Sequence, residues 1–154
     1  MYRKFLVLAA ASLFASAASA QVTVTDPWIR ATVPAQKTAG AFMQLRSPKA
    51  TRLVEVQSPV AGRAEIHQMD MQGQTMRMQK VDGIDLPAGQ PVNLSSGGYH
   101  IMLFDLKQQL KEGEQVPLTL VFLGADKKRE NVTVQVPVKP LTYTADKPAA
   151  PAAH

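Results

Sequence analysis

Short stretches of alternating apolar and polar residues, rich in β-branched side chains and separated by glycine and proline, run along most of the chain. Alternation with a period of two is typical of strands that bury one face. Lys107–Lys111 could form one helical turn at most. Many short strands with closely spaced turns favour an all-β fold, a sandwich or a barrel. The pattern predicts ten strands, at Val22–Thr25, Trp28–Thr32, Ala41–Arg46, Arg52–Gln57, Ala64–Met71, Thr75–Val81, Val92–Leu94, Tyr99–Leu106, Val116–Leu123 and Asn131–Val138.

The predicted strands also give side chains a direction. The glycine in Gln72-Gly73-Gln74 predicts an antiparallel hairpin between two methionine-bearing strands. We expect His67 and Met78 to lie near each other across this hairpin, because direct cross-strand neighbours are roughly 4.5–5.5 Å apart at Cβ. Core packing is the default for the aromatic residues in strands, Trp28, Phe42, Tyr99 and Phe104. Three groups of side chains should each share a face: His67, Met69 and Met71; Met76 and Met78; His100 and Met102.

The two ends of the chain differ from the middle. Residues 1–20 have the form of a secretory signal peptide, with a basic start, an apolar stretch too short to span a bilayer, and Ala18-Ser19-Ala20 as the cleavage site. Residues 142–154 are rich in alanine and proline and predict a flexible tail. We therefore expect one domain at residues 21–141, exported to the periplasm, with no membrane span in the mature form.

Charge and composition exclude several functions. The 17 basic residues include Arg3 and Lys4, so the mature chain has 15 basic against 12 acidic residues, a mild excess that is a poor footprint for nucleic acid. The chain has no cysteine, which excludes blue-copper electron transfer and thiol–disulfide exchange. The aspartates and serines form no recognisable acid–base pair or nucleophile elbow, so we do not expect an enzyme.

Two histidines and two methionines stand out as a candidate metal site. His67 is followed after ten residues by Met78, and after twenty-one more by His100 and Met102. Thioether sulfur favours soft Cu(I) over hard cations, and imidazole binds copper readily. Copper is therefore the first hypothesis. The alternative is a methionine-rich hydrophobic edge, since a single methionine more often fills a core and a single histidine is more often structural.

Four further residues are candidates for an auxiliary role. Met69, Met71 and Met76 could form a hydrophobic rim, an entry route for copper or a substitute ligand set, and rim packing is the favoured interpretation. His154 ends the alanine- and proline-rich segment and could belong to a secondary Cu(II) site, although a chain end is the simpler interpretation.

The segment from Glu65 to Leu120 resembles the periplasmic CuA copper chaperone family, PCu(A)C, also described as the DUF461 type. The family signature is a His, ten residues, a Met, twenty-one residues and then His-x-Met, a spacing that this chain reproduces in full. The resemblance implies a cupredoxin-like Greek-key β-sandwich that binds one Cu(I). Other matching phrases are Glu65-Ile66-His67, Met76-Arg77-Met78, Leu86-Pro87-Ala88-Gly89, Gly97-Gly98-Tyr99-His100-Ile101-Met102-Leu103, Leu110-Lys111-Glu112-Gly113-Glu114 and Trp28-Ile29-Arg30-Ala31-Thr32.

The same resemblance implies a role in assembling the CuA centre of cytochrome c oxidase. The expected partners are the CuA domain of oxidase subunit II, a Sco-type thiol protein, or both, and we expect this chain to be a monomer. Two alternatives stay open: periplasmic copper sequestration or tolerance through the same site, and a β-sandwich adaptor that binds no metal.

Overall fold

The computed structural model describes residues 22–95 and 97–143, which fold entirely from strands and loops. No helix in these ranges is long and apolar enough to cross a membrane. The all-β prediction is therefore confirmed. The strands are β1 (Thr23–Arg30), β2 (Ala39–Arg46), β3 (Thr51–Gln57), β4 (Ala61–Gln72), β5 (Thr75–Lys80), β6 (Ile84–Leu86), β7 (Val92–Leu94), β8 (Tyr99–Leu106), β9 (Gln115–Gly124) and β10 (Arg129–Lys139).

The strands form two sheets that share one hydrophobic core. The first sheet has the order β5-β4-β8-β7-β2-β1, with β8 also pairing directly with β2, and the second has the order β10-β9-β3-β6. A short parallel pairing of β1 with β10 joins them. Side chains with no or almost no exposed area, such as Ile66, Ile101 and Leu103 from the first sheet and Leu53 and Phe122 from the second, fill the core. This arrangement is a β-sandwich closed along one side.

Two local predictions were wrong. The first two predicted strands are a single strand, β1, because a bulge between Thr25 and Trp28 lets the chain continue past Pro27, with Asp26 at a φ of 49°. Ile84–Leu86 forms a short strand, β6, that pairs with β3 and was not predicted. Lys107–Lys111 contains no helical turn, which agrees with the expected limit of one turn at most.

The outer face of the first sheet carries an unusual set of side chains. Alternate residues of β8 point away from the core, so His100, Met102 and Phe104 share this outer face while Ile101 and Leu103 face inward. Phe42 and Trp28 join them, with ring centroids 4.6 Å apart. The prediction of core packing was therefore wrong for Phe42 and Phe104, whereas Tyr99 packs against the core as expected. Trp28 is buried as expected, with 6% exposed, but it packs against Phe42 on the outer face.

Candidate metal centre

The two histidines of the predicted site are direct neighbours in the first sheet. β4 pairs antiparallel with β8 so that His67 lies opposite His100. Their ring centroids are 5.8 Å apart, and both residues are buried, with 9% of His67 and 3% of His100 exposed. Phe104 lies against the His67 ring at 5.7 Å and Phe42 lies 6.2 Å from His100. Aromatic side chains thus shield the imidazoles on this face.

Each imidazole uses one ring nitrogen and leaves the other free. In the neutral tautomers that fit these contacts, His67 Nε2 donates to Glu65 Oε2 at 2.8 Å, and His100 Nδ1 donates to the Gly98 carbonyl oxygen at 3.3 Å. His67 Nδ1 and His100 Nε2 are buried and have no hydrogen-bond partner in the described part of the chain. An unpaired buried nitrogen is costly, which makes both atoms good candidates for metal ligands.

Three methionines stand beside the histidines in an open cleft of about 330 Å³. Met102 follows His100 on the same face of β8, and Met69 lies directly opposite Met78 across the β4–β5 hairpin. All four of these side chains line the cleft. Met78 is 48% exposed, so the cleft opens to solvent at the β5 edge.

The hairpin register differs in detail from the prediction. The strands are antiparallel as expected, but the direct partner of His67 on β5 is Lys80, and Met78 is its diagonal neighbour. Diagonal neighbours lie roughly 7–8 Å apart, which flexible side chains can still bridge. The structure thus brings His100, Met102 and Met78 into one cleft and places His67 beside it, in contact with His100.

The auxiliary candidates separate into three groups. Met69 lines the cleft with the principal candidates. Met71 and Met76 form a second directly opposed pair farther along the hairpin, and they are 59% and 50% exposed. His154 lies outside the described residues.

Two further residues shape the cleft and were missed by the sequence analysis. Gly40 lies opposite Met102, and a Cβ added there would approach the Phe42 ring to 3.0 Å. The bare backbone of Gly40 therefore keeps space open next to the candidate sulfur ligand. Leu141 lines the other side of the cleft and is 52% exposed.

Glu65 is the most important residue that sequence reasoning did not single out as functional. Besides its bond to His67, its Oε1 lies 3.4 Å from Arg63 Nε and 3.8 Å from Lys80 Nζ. The hydrogen bond from His67 lowers the pKa of the Glu65 carboxyl against the opposing effect of burial, and Arg63 and Lys80 lower the pKa further. The sequence could have indicated this role, because Glu65 lies two residues before His67 and therefore on the same face of the strand.

The donor chemistry selects for a soft metal ion. Among the described residues, no group of three or more His, Cys, Asp or Glu side chains is placed to hold a metal ion. Any ion held here must therefore draw on thioether sulfur as well as imidazole nitrogen. That mixture suits Cu(I) and is a poor match for Mg²⁺ or Ca²⁺, which require oxygen ligands.

We expect the metal-free protein to lose stability in acid, starting below about pH 6.5. Burial lowers the pKa of His100 below its usual 6.5, and nearby His67 adds to this effect while the bond to the Gly98 carbonyl opposes it. The unfolded chain therefore takes up this proton at a higher pH than the folded chain, so the free energy of unfolding falls as pH drops through this window. Glu65 acts in the same direction at lower pH, because its pKa is lowered from 4.5 and its contribution is lost as pH falls through the lowered value.

Urea unfolding at several pH values between 7.5 and 4 measures this effect. In His100→Gln the decrease between pH 6.5 and 5 should be smaller than in the parent, because the titrating imidazole is gone. An identical pH profile for parent and variant would show that His100 is not buried in its neutral form.

Comparisons with known proteins agree with this architecture. The family model described as "Putative lipoprotein LpqE-like" matches residues 22–138. "Putative lipoprotein Lxx21020" of Leifsonia xyli subsp. xyli (strain CTCB07) is 29% identical over 119 residues, which cover 77% of this chain and 69% of that protein. An uncharacterised protein of Rickettsia prowazekii (strain Madrid E) is 33% identical over 123 residues, covering 76% of this chain and 68% of that protein.

Solved structures with the same fold include copper-binding domains. The apo PCuAC domain from PmoF1 has a TM-score of 0.63 at 26% identity, covering 77% of this chain and 93% of that domain. The copper-bound PCuAC domain from PmoF2 has a TM-score of 0.62 at 25% identity, covering 77% and 92%. The solution structure of CuI-DR1885 from Deinococcus radiodurans has a TM-score of 0.54 at 30% identity, covering 80% and 83%.

These similarities confirm the cupredoxin-like Greek-key sandwich and the resemblance to PCuAC domains that the His and Met spacing indicated. The match over residues 22–138 spans most of the chain and every strand from β1 to β9. The chain therefore belongs to the LpqE-like family and has the fold of the PCuAC domains.

Proposed function

We propose that this protein binds one Cu(I) in the cleft on the outer face of the first sheet and carries it to a thiol-bearing acceptor in the periplasm. The ligands are His67 Nδ1, His100 Nε2 and the sulfurs of Met78 and Met102. The observation that carries the proposal is the pair of buried, unpartnered imidazole nitrogens beside a cleft lined by thioethers. The solved structures of the copper-bound PCuAC domain from PmoF2 and of CuI-DR1885 from Deinococcus radiodurans support the choice of metal.

The donor set explains how copper could be released as well as bound. A cysteine-free site of imidazole and thioether binds Cu(I) less tightly than a dithiolate does, so transfer to a thiolate acceptor is downhill. An incoming sulfur can approach at the Met78 side, where the cleft is open to solvent. Displacement of one thioether, and then of the other ligands, moves the ion without any change in its oxidation state. No substrate bond is made or broken, so the protein is a carrier and not an enzyme.

The proposed destination is the CuA centre of cytochrome c oxidase, reached directly at subunit II or through a Sco-type thiol protein. Export through residues 1–20 would place the carrier in the periplasm, and the lipoprotein description of the matching family fits an exported protein. After removal of the signal, residues 22–95 and 97–143 would contain no helix able to span a membrane.

A transfer experiment tests delivery. Mature protein loaded with one equivalent of Cu(I) is mixed without oxygen with a reduced, metal-free CuA domain, with or without a Sco-type protein, and copper is measured in each protein after separation. We expect most of the copper to leave for the thiolate acceptor. Retention of the ion by this protein would favour sequestration, and failure to take up Cu(I) at all would favour an adaptor that binds no metal.

A further inference from the structure

The β4–β5 hairpin carries two rungs of paired methionines on one face. Met69 lies opposite Met78, and on the next rung of the same face Met71 lies opposite Met76. The inner rung lines the cleft of the candidate metal centre, whereas the outer rung lies beyond the cleft, toward the turn at Gly73. The hairpin thus presents a continuous row of thioethers that begins in solvent and ends beside the histidines.

The outer pair is placed to hold an ion by itself. Direct cross-strand neighbours are roughly 4.5–5.5 Å apart at Cβ, and a methionine side chain has enough rotatable bonds to turn its sulfur toward a shared point. The two opposed thioethers can therefore coordinate one Cu(I), and Met69 or Met78 from the next rung can supply a third donor. Thioether ligation needs no deprotonation, so the pair is ready to bind at any working pH.

Exposure argues against simple hydrophobic packing of the outer pair. The described part of the chain has five large hydrophobic residues with high exposure, and three of them, Met71, Met76 and Met78, belong to this hairpin. β5 is an edge strand on which every residue is exposed. About half of each residue of the Met71–Met76 pair is exposed, although paired apolar side chains of this size are normally buried. A role in contact with solvent accounts for their position.

We propose that Met71 and Met76 form a second Cu(I) site, an entry site that captures the ion and passes it along Met69 and Met78 to His67 and His100. The inference rests on the proposed function for its final step but not for binding at the outer pair. Each movement is a ligand exchange in which one copper–sulfur bond forms as another breaks, and the ion stays monovalent. The site is weaker than the principal one because it has fewer donors and lies in solvent.

Methionine methyl NMR can separate the two sites. The chain has six methionines after Met1, so protein labelled with ¹³C at the methionine methyl groups gives one signal for each. Ag(I), a redox-inert substitute for Cu(I), is titrated into the parent protein, into His67→Ala/His100→Ala and into Met71→Leu/Met76→Leu. Met43, which is buried in the core on the other face of the sheet, provides an internal control signal.

The entry site predicts three results. In the parent, the Met78 and Met102 signals shift with the first equivalent and the Met71 and Met76 signals with the second. In the double histidine variant, Met71 and Met76 still shift, which shows that the outer pair binds without the principal site. In Met71→Leu/Met76→Leu the second equivalent is lost, and uptake of Cu(I) from a chelator becomes slower while the affinity of the principal site is retained.

The possible failures are distinct. If Met78 and Met102 shift in the parent but Met71 and Met76 remain unchanged through the second equivalent, the outer pair is a hydrophobic rim and the entry site is wrong, while the proposed function stands. If Met71 and Met76 shift but Met78 and Met102 do not, the entry site stands and the proposed principal site is wrong. The titration of the parent alone distinguishes these cases, even if the double histidine variant does not fold.

Discussion

Replacement of His100 by alanine should abolish Cu(I) binding at the principal site. The His100 ring packs beside His67 and Phe42 and lines the same cleft as Met102, and its buried Nε2 has no partner within the described residues. Without this ring the site loses one of its two nitrogen donors, and the remaining donors no longer complete the ligand shell. We expect the affinity for Cu(I) to fall by more than about 100-fold. Loss of a residue that only supports a ligand through a hydrogen bond costs about 10–100-fold, and loss of a ligand itself should cost more. Competition against a colorimetric Cu(I) chelator measures the loss.

The chain offers matched controls for this experiment. Met43→Leu alters a methionine in the core without touching the cleft, and His154→Ala removes the third histidine of the sequence. Both variants should bind Cu(I) like the parent, and His100→Gln should behave like His100→Ala without creating a large cavity. If His100→Ala binds normally while His154→Ala binds weakly, the principal site uses His154 and not His100, and the proposed ligand set is wrong.

Local periodicity was sufficient to predict which side chains share a face. The alternation along β4 and β8 correctly put His67 with Met69 and His100 with Met102, because side-chain direction in a strand depends only on spacing. The sequence was less able to predict the register of the hairpin. A shift of two residues preserves the faces and changes only which residues are directly opposed, so Met69 and not His67 is the direct partner of Met78.

The pairing of β4 with β8 could not be derived from local pattern. Three strands, β5, β6 and β7, separate these two along the chain, yet the fold places His67 directly opposite His100. Only the spacing shared with a known family indicated this contact in advance. Nothing in the alternation distinguishes the partner of β4 among the other strands, because non-local pairing is decided by packing of the whole sandwich.

The aromatic residues show a different limit of sequence reasoning. Trp28, Phe42 and Phe104 occupy alternating positions that suit a buried face, and burial of large aromatic side chains is the usual outcome. Here they lie on the outer face of the first sheet, where Phe42 and Phe104 pack beside the imidazoles and Trp28 is buried against Phe42. Tyr143 also packs on Trp28, with centroids 4.8 Å apart, and its carbonyl oxygen accepts a hydrogen bond from Arg30. A sheet whose two faces are both partly apolar gives a pattern that cannot identify which face is the core.

The second large effect is expected at Glu65, a residue that donates nothing to the metal. Its carboxylate accepts the hydrogen bond from His67 Nε2 and so orients the ring with Nδ1 free for a metal. Loss of such a supporting partner typically costs about 10–100-fold in metal affinity. We expect Glu65→Ala to approach the upper end of that range and Glu65→Gln, which keeps an oxygen acceptor of similar size, to lie nearer the lower end.

Charge adds a second reason for the effect. Glu65 also lies within 4 Å of basic groups on Arg63 and Lys80, so removal of the carboxylate leaves two cations without their partner close to an incoming metal cation. The same chelator competition measures both variants, and Glu55→Gln on β3, in the other sheet, provides the control for loss of a carboxylate. If Glu65→Gln binds like the parent while Glu65→Ala is weak, the hydrogen bond matters and the charge does not. If both bind like the parent, His67 needs no orientation by Glu65, and its free Nδ1 must be fixed by the packing of Phe104 alone.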